Sequence, residues 1–206
     1  MVNIISLNKT QIEIMKLFVS NINENFTING VSRCLDMNVS LTHRMITPLI
    51  KEYKLIELDK KKLISLNYEN NHGTLAFIEN IRSQELLNKK EHKIIKEFLE
   101  EIMDKLKDEY FIIILFGSAV TKTNPRDRDV LFIFENYEKV EKRERTIKTV
   151  ASNHSDRFDI TVISVESIYE MASKRKQKNV LNELLNKHII LYGGENFYRL
   201  IKNARQ

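Results

Sequence analysis

The sequence predicts an α/β (α+β) protein in two units: a small helical unit that ends in a hairpin, and a larger unit in which helices flank a small mixed sheet. Apolar residues recur at helical spacing through most of residues 9–53. Residues 67–73 are polar and rich in turn formers, which is typical of a linker. Two apolar runs of strand length then follow, Phe111–Phe116 and residues 130–134. We therefore expect a first unit at residues 1–68, a linker and helix at 69–90, and a second unit at 91–206.

Composition restricts the classes of protein that the chain can belong to. A chain of 206 residues with 42% hydrophobic residues can bury an ordinary core. No apolar run approaches the ~20 residues of a membrane helix, and the N-terminus lacks the pattern of a secretory leader. The one cysteine, Cys34, cannot form an internal disulfide and lies in an apolar helical stripe, so we expect it to be buried in a cytoplasmic protein. The net charge of +5 favours a polyanionic partner.

The first unit is predicted to contain three helices and a hairpin. A helix over residues 9–20 comes first, Thr27 can cap a second helix, and Ser40 can cap a third. Short apolar segments at residues 55–58 and 62–66 flank a charged turn and predict the hairpin. The residues expected to face inward are Ile12, Met15 and Val19 in the first helix, Ile28, Val31 and Leu35 in the second, and Met45, Leu49 and Tyr53 in the third.

This order of elements resembles the winged helix-turn-helix domains of bacterial and archaeal transcription regulators. The resemblance implies that the third helix enters the major groove of DNA and that the wing meets the phosphate backbone. The DNA-contacting residues implied are Thr42, His43, Arg44 and Thr47 in the helix, and Lys60, Lys61 and Lys62 in the wing. Pro48 is expected to shorten or bend this helix.

Other interpretations of the first unit remain open. A winged helix can also serve as a protein-interaction or dimerisation module, and three lysines in a turn can simply be solvated. If the unit reads a palindromic DNA site, a homodimer is expected.

The second unit contains a motif that carries chemistry. Gly117 and Ser118 follow an apolar strand, and Asp127 and Asp129 precede the next one. In a strand the two carboxylates share a face while Arg128 points the other way. Paired carboxylates repel each other, and a divalent cation is the usual compensation. Gly117 lets the backbone approach a phosphate, to which the Ser118 hydroxyl and N–H can bond.

At these residues the sequence resembles the DNA polymerase beta-like nucleotidyltransferase superfamily, over about residues 85–206. That family has a third carboxylate at the start of a later strand, and Asp159 fits it. The resemblance implies that Asp127, Asp129 and Asp159 are catalytic and hold Mg²⁺ (or Mn²⁺), while Gly117, Ser118 and Arg126 bind the nucleotide. Such an enzyme moves a nucleoside monophosphate from an NTP to a hydroxyl. The acceptor could be RNA, a small molecule, or a protein side chain, as in toxin–antitoxin pairs, with the winged helix guiding the enzyme to DNA, RNA or a partner.

The motif departs from the family pattern in ways that favour a second interpretation. The spacer after Gly-Ser has eight residues where about ten are usual, it contains no glycine, and Arg128 replaces an aliphatic residue. If the spacer is counted strictly as ten, Asp129 is the first carboxylate and Leu131 stands where the second is lost. The arginines could also neutralise the carboxylates in place of metal, or the two aspartates could be ordinary turn residues. The alternative is then a DNA-binding transcription regulator whose nucleotidyltransferase-like domain is an inactive nucleotide sensor or dimerisation module.

The remaining segments are predicted to be helices around the sheet and a short closing motif. Residues 74–88, 91–107 and 138–150 have helical patterns. A basic cluster at residues 174–178 could meet nucleic acid or form a solvated helix end, and a helix is expected at 179–186. The chain then closes, as in small nucleotidyltransferase-domain proteins, with an apolar strand, a Tyr-Gly turn and a short helix.

Overall fold

The structure is a computed structural model that describes residues 5–106, 110–122, 125–154, 157–173 and 185–205. It has mixed helices and strands with two small sheets, so the predicted fold class is confirmed. The basic cluster at residues 174–178 lies outside the described residues, as does the predicted helix at 179–186 except for its last two positions. Within the described residues, no helix is long and apolar enough to cross a membrane.

The first unit has a winged-helix arrangement. Its elements in order are α1 (Lys9–Val19), α2 (Ile28–Cys34), α3 (Val39–Lys51), β1 (Ile56–Leu58) and β2 (Ile64–Leu66). The two strands pair in antiparallel fashion to form the predicted hairpin. Phe26, between α1 and α2, exchanges both backbone hydrogen bonds with Ile64, at 2.8 and 2.7 Å, and so adds a one-residue third strand.

The helix starts of this unit follow from side-chain caps. Thr27 caps α2 as predicted, since its hydroxyl accepts the Gly30 N–H at 3.0 Å. The cap of α3 is Asn38 and not Ser40, because the Asn38 side chain accepts the Ser40 N–H at 2.8 Å. Pro48 lies inside α3, which nevertheless continues to Lys51, so the helix is not shortened.

The inward-facing prediction for α3 is confirmed, since Leu49 is fully buried and Met45 and Tyr53 are partly buried and pack against the core. The helix also buries Thr42 and Ile46, which the apolar pattern did not include. The prediction that Cys34 is buried was wrong. Cys34 is exposed, since α2 turns Val31 and Ser32 into the core instead.

The second unit is built around a four-stranded mixed sheet. Its helices are α4 (His72–Leu87), α5 (Lys93–Lys105), α6 (Ser118–Thr121), α7 (Val140–Ser152), α8 (Val165–Ser173) and α9 (Gly194–Arg205), with 3-10 turns at Lys90–His92 and Tyr137–Lys139. Its strands are β3 (Phe111–Phe116), β4 (Arg128–Phe134), β5 (Phe158–Ser164) and β6 (Ile189–Tyr192). The strand order is β5-β4-β3-β6, with β4 and β5 parallel and the other neighbours antiparallel.

The two faces of this sheet are buried against different partners. Alternate residues of β3 and β4, among them Ile113, Leu115 and Phe132, form a core with α5 and α7. The residues between them, such as Ile112, Ile114 and Leu131, belong to a core that also contains Phe18 of α1 and Phe197 of α9. The winged helix and the sheet domain therefore share one apolar core.

Backbone hydrogen bonds also join the two units. The Ile22 N–H donates to the Leu185 carbonyl at 2.9 Å, and the Lys187 N–H donates to the Ser20 carbonyl at 2.8 Å. Asn21 and Asn186 form the bridge between these bonds. The segment that links α1 to α2 is thus fixed to the chain just before β6, and we call residues 20–22 with 185–187 the interdomain ladder.

A buried polar cluster fixes α4 to α9 and β6. Arg82 donates to Glu79 at 2.7 Å and to the His188 carbonyl at 2.5 Å, and the Tyr198 hydroxyl donates to Glu79 at 3.0 Å. Burial alone would raise the pKa of Glu79, but the Arg82 guanidinium and the neighbouring donors bring it below its usual value. Burial and the Glu79 charge raise the pKa of Tyr198 well above its usual value.

Candidate functional site

The turn after β3 brings the predicted phosphate-binding residues against Asp129. Phe116 pairs with Asp129 across the sheet, so Gly117 and Ser118 lie directly beside that carboxylate. Gly117 has φ +68°, and a Cβ atom there would lie 2.2 Å from Asp129 Oδ2. A backbone hydrogen bond from Ser118 stabilises the ionised form of the carboxylate. A glycine is therefore required at position 117 for two independent steric reasons.

Asp129 and Asp159 lie side by side at the ends of two parallel strands. They are directly paired in the register of β4 and β5, so both project from the same face of the sheet. Burial, followed by the charges of Asp159 and Asp127, raises the pKa of Asp129 above its usual value. The site thus holds negative charge at an energetic cost, which a bound cation would relieve.

Asp127 is placed differently from the other two aspartates. It precedes β4, which begins at Arg128, and the Arg157 Nε lies 3.2 Å from its Oδ1. The Arg157 carbonyl also accepts the Arg128 N–H at 2.9 Å, where the two parallel strands begin. Sequence reasoning did not identify Arg157. Its position two residues before Asp159, matching Asp127 two residues before Asp129, is the signal that could have found it.

The arginines of the motif do not lie between the carboxylates. Arg128 is buried, and its charge acts on His92, whose pKa is lowered first by burial and then by this neighbour. Since His92 precedes α5, Arg128 points away from the aspartates, as the strand alternation predicts. Arg126 is exposed. Leu131, the next residue after Asp129 on the same face, is fully buried.

The residues present fit a metal ion that arrives with phosphates. Across the described ranges, no group of three or more His, Cys, Asp or Glu side chains could hold a metal ion by itself. Mg²⁺ commonly keeps several waters and binds one or two carboxylates together with substrate phosphates. The adjacent Asp129 and Asp159 offer that pair of carboxylates. Burial is the main cause of the raised pKa of Asp129, and the charge of Asp159, which comes next, is one that such an ion would neutralise.

A cleft of about 620 Å³ opens in front of the Gly-Ser turn. Its wall contains Gly117, Ser118 and Asp129 from the sheet domain, Lys187 from the segment before β6, and Glu24 from the winged helix. Its volume lies within the 300–1,000 Å³ that is usual for small-molecule sites. Asp159 lines a separate cleft of about 350 Å³ together with Arg157, whereas both units contribute to the wall of the cleft at the Gly-Ser turn.

A larger cleft of about 830 Å³ lies beside it, between α1, α4 and α6. Thr121 belongs to the walls of both clefts. Several charged groups of the larger cleft already have partners, since Lys16 pairs with Glu13 at 2.8 Å and with Glu85 at 2.5 Å.

The predicted recognition helix is accessible in part. His43 and Arg44 are exposed, and Thr47 is half-buried with its hydroxyl donating to the His43 carbonyl at 2.8 Å. The prediction for Thr42 was wrong. Thr42 is fully buried and donates to the Asn38 carbonyl at 2.9 Å, because it lies on the face of α3 that packs on the core.

The wing presents its three lysines to solvent. Asp59 fixes the turn by accepting the Lys61 and Leu63 N–H groups, both at 2.8 Å. Lys60, Lys61 and Lys62 are all exposed at the tip. Together with Arg44 of α3, they are exposed positive charges of the winged helix.

Comparisons with known proteins add little to this geometry. No protein-family profile matches the sequence, and no curated protein matches it. One solved structure, the crystal structure of the Thermotoga maritima IclR, aligns with 21% sequence identity and a TM-score of 0.27. The alignment covers 53% of this chain and 40% of that chain. So low a TM-score carries no argument, and the interpretation of the site depends on its own residues.

Proposed function

We propose that the chain is a DNA-binding regulator whose second domain binds a magnesium–nucleoside triphosphate complex as a sensor and does not transfer the nucleotide. The observation that carries this choice is the ion pair between Asp127 and Arg157. It gives Asp127, the first of the three expected metal-binding carboxylates, a cationic partner from the protein itself, although the Arg157 side chain is largely exposed. Two carboxylates, Asp129 and Asp159, are then left on the site.

Two carboxylates suffice for binding but fall short of the usual catalytic set. Catalysis of phosphoryl transfer depends on positioning and on neutralising charge, with metal ions holding both nucleophile and leaving group. A pair of aspartates can hold one Mg²⁺ through the nucleotide's own phosphates. The ion contributes charge neutralisation, while the Ser118 hydroxyl offers a hydrogen-bond donor to the phosphates, because the Ser118 backbone N–H already donates to Asp129.

DNA binding is supported by the exposed charges of the winged helix. Each lysine that contacts a phosphate releases counterions, so DNA affinity falls as salt rises. Replacing Lys60, Lys61 and Lys62 together by Gln should reduce the slope of log affinity against log salt by roughly 2 to 3. If the protein recognises a specific DNA sequence, Arg44→Ala should weaken its affinity for that sequence more than its affinity for other DNA.

Fluorescence anisotropy on a pool of labelled duplex DNA tests this proposal. The matched control is a triple Lys→Gln variant at Lys93, Lys96 and Lys105, which removes the same charge from exposed positions on α5. We expect the control to bind within about threefold of the wild type. Equal losses in both triple variants would mean that the wing is not a DNA surface.

A catalytic nucleotidyltransferase is the second candidate, favoured by the direct pairing of Asp129 with Asp159 beside a Gly-Ser turn. Transfer of label from an α-³²P-labelled NTP to macromolecules or small acceptors in cell extract, with Mg²⁺ or Mn²⁺ present, separates the candidates. The sensor predicts no transfer above that of an Asp129→Asn/Asp159→Asn variant. Transfer by the wild type that this variant lacks would establish the enzyme.

A further inference from the structure

Lys187 lines the candidate nucleotide cleft, although it follows Gly117 by 70 residues in the sequence. It is exposed, and it shares the cleft with Gly117, Ser118 and Asp129. A lysine ammonium is a compact charge that binds phosphate readily. Among the described residues, no ion pair engages it.

The winged helix fixes the position of this lysine. Its backbone has φ +59°, a left-handed conformation that non-glycine residues adopt only when their surroundings hold them there. The hydrogen bond from its N–H to the Ser20 carbonyl, at 2.8 Å, supplies that constraint. Ser20 is the C-cap of α1 in the DNA-binding unit.

We propose that Lys187 binds the terminal phosphates of the nucleoside triphosphate, and that the interdomain ladder transmits nucleotide occupancy to the DNA-binding unit. This inference rests on the proposed nucleotide sensor and adds the residue and the route by which it acts. Phosphates that hold the ammonium beside the Gly-Ser turn favour the arrangement of the interdomain ladder that places Lys187 there. Ser20 accepts the Lys187 N–H, and Ile22 donates to the Leu185 carbonyl, so the two sides of the ladder are joined at the junction between α1 and α2.

The charge of Glu24 gives a reason why the winged helix would be arranged differently with and without bound nucleotide. Glu24 lies in the same wall and belongs to the segment between α1 and α2. Phosphates and a carboxylate repel each other, so a triphosphate attracts Lys187 while it repels Glu24. The ligand thus acts in opposite senses on two sides of the interdomain ladder, which gives it different affinities for two arrangements of the winged helix.

The test uses the full chain and a lysine variant that retains the backbone conformation. Asn adopts left-handed φ values more readily than other non-glycine residues, so Lys187→Asn removes the charge without adding strain. Lys122→Asn is the control, since Lys122 is exposed and lines the neighbouring cleft. Calorimetry with ATP, GTP, CTP or UTP in Mg²⁺ identifies the nucleotide that binds best, and its monophosphate serves as a second probe.

We expect Lys187→Asn to weaken triphosphate binding about tenfold or more, the effect of losing one charged hydrogen bond, and to leave monophosphate binding within twofold. Lys122→Asn should bind both probes like the wild type. In DNA anisotropy, the triphosphate should change wild-type affinity at least fivefold, and Lys187→Asn should lose that response while binding DNA normally without nucleotide.

Three outcomes would overturn the inference. Equal triphosphate binding by Lys187→Asn and the wild type would remove the phosphate contact while leaving the nucleotide sensor in place. If the DNA affinity of the wild type is the same with and without nucleotide, the interdomain ladder does not transmit nucleotide binding to the winged helix. A wild type that binds none of the four triphosphates would remove the sensor itself, and the inference with it. A thermal midpoint of Lys187→Asn close to that of the wild type confirms that a loss of binding is not a loss of fold.

Discussion

Replacing Gly117 by alanine should destabilise the protein more than any ordinary surface substitution. The new methyl carbon would lie 2.2 Å from Asp129 Oδ2, where no carbon can stay, and the backbone has φ +68°. Backbone strain of this kind costs about 1 to 3 kcal/mol. Moving Asp129 aside also weakens its bond from Ser118, worth about 1 kcal/mol. The total is roughly 2 to 4 kcal/mol, or a lower thermal midpoint by about 5 to 15 °C for a chain of this length.

Thermal and urea denaturation followed by circular dichroism measure this loss, with Gly30→Ala as the matched control. Gly30 lies in α2 without a positive φ, and an added Cβ would be 3.3 Å from the Thr27 hydroxyl oxygen. The control should stay within about 1 kcal/mol of the wild type, because alanine's helix propensity offsets the close contact.

The contact with Asp129 can be separated from backbone strain by repeating the substitution in an Asp129→Ala background. There the carboxylate no longer blocks the methyl group, so Gly117→Ala should cost about 1 kcal/mol less than it does in the wild type. A Gly117→Ala protein whose midpoint lies within 2 °C of the wild type would refute the reasoning. Equal costs in the two backgrounds would refute the proposed contact.

Three further predictions concern charge. Asp129→Asn should raise the free energy of unfolding at neutral pH by roughly 0.5 to 1 kcal/mol, because it removes a partly buried charge from a functional site. The same variant should lose magnesium-dependent nucleotide binding. A variant less stable than the wild type in urea denaturation would contradict the predicted gain in stability. Because the folded pKa of Asp129 is raised, the wild type should gain stability as pH falls through that pKa, and the difference from Asp129→Asn should shrink in acid. Glu79→Gln leaves the buried Arg82 without its charged partner and should reduce the free energy of unfolding by about 3 to 5 kcal/mol, against about 1 kcal/mol for the control Tyr198→Phe. Since the folded pKa of Glu79 is lowered, its stabilising contribution should be complete above the unfolded pKa and disappear as pH falls through the folded pKa. Similar thermal midpoints for Glu79→Gln and the wild type at pH 7 would show that the charge is not needed.

Local patterns predicted much of the fold. The strand periodicity around Phe111–Phe116, the Thr27 cap and the charged turn of the wing depend on near neighbours in sequence, so they could be predicted from sequence. The burial of Thr42 on the inner face of α3 could not be predicted, because a threonine can take a core position when its hydroxyl bonds to its own helix. A pattern that counts only apolar residues does not identify a buried threonine.

Contacts between distant segments could not be predicted. The pairing of Asp127 with Arg157 depends on the parallel register of β4 and β5, and Lys187 reaches the cleft only because the interdomain ladder fixes it there. The shared core of the two units also arises from tertiary packing, since the polar stretch at residues 67–73 predicts a linker between separate domains. Sequence thus predicted the candidate carboxylates but not which of them is engaged by an arginine.

The most direct test of the central claim is calorimetric titration of NTPs with and without Mg²⁺ against the wild type, Asp127→Asn, Asp129→Asn and Asp159→Asn. If Asp129 and Asp159 hold the ion through the nucleotide's phosphates, binding should require Mg²⁺, disappear in both of those variants, and persist in Asp127→Asn within a few fold. Loss of binding in all three variants alike would contradict the account and restore a three-carboxylate site. No binding by the wild type under any metal condition would remove the nucleotide site altogether.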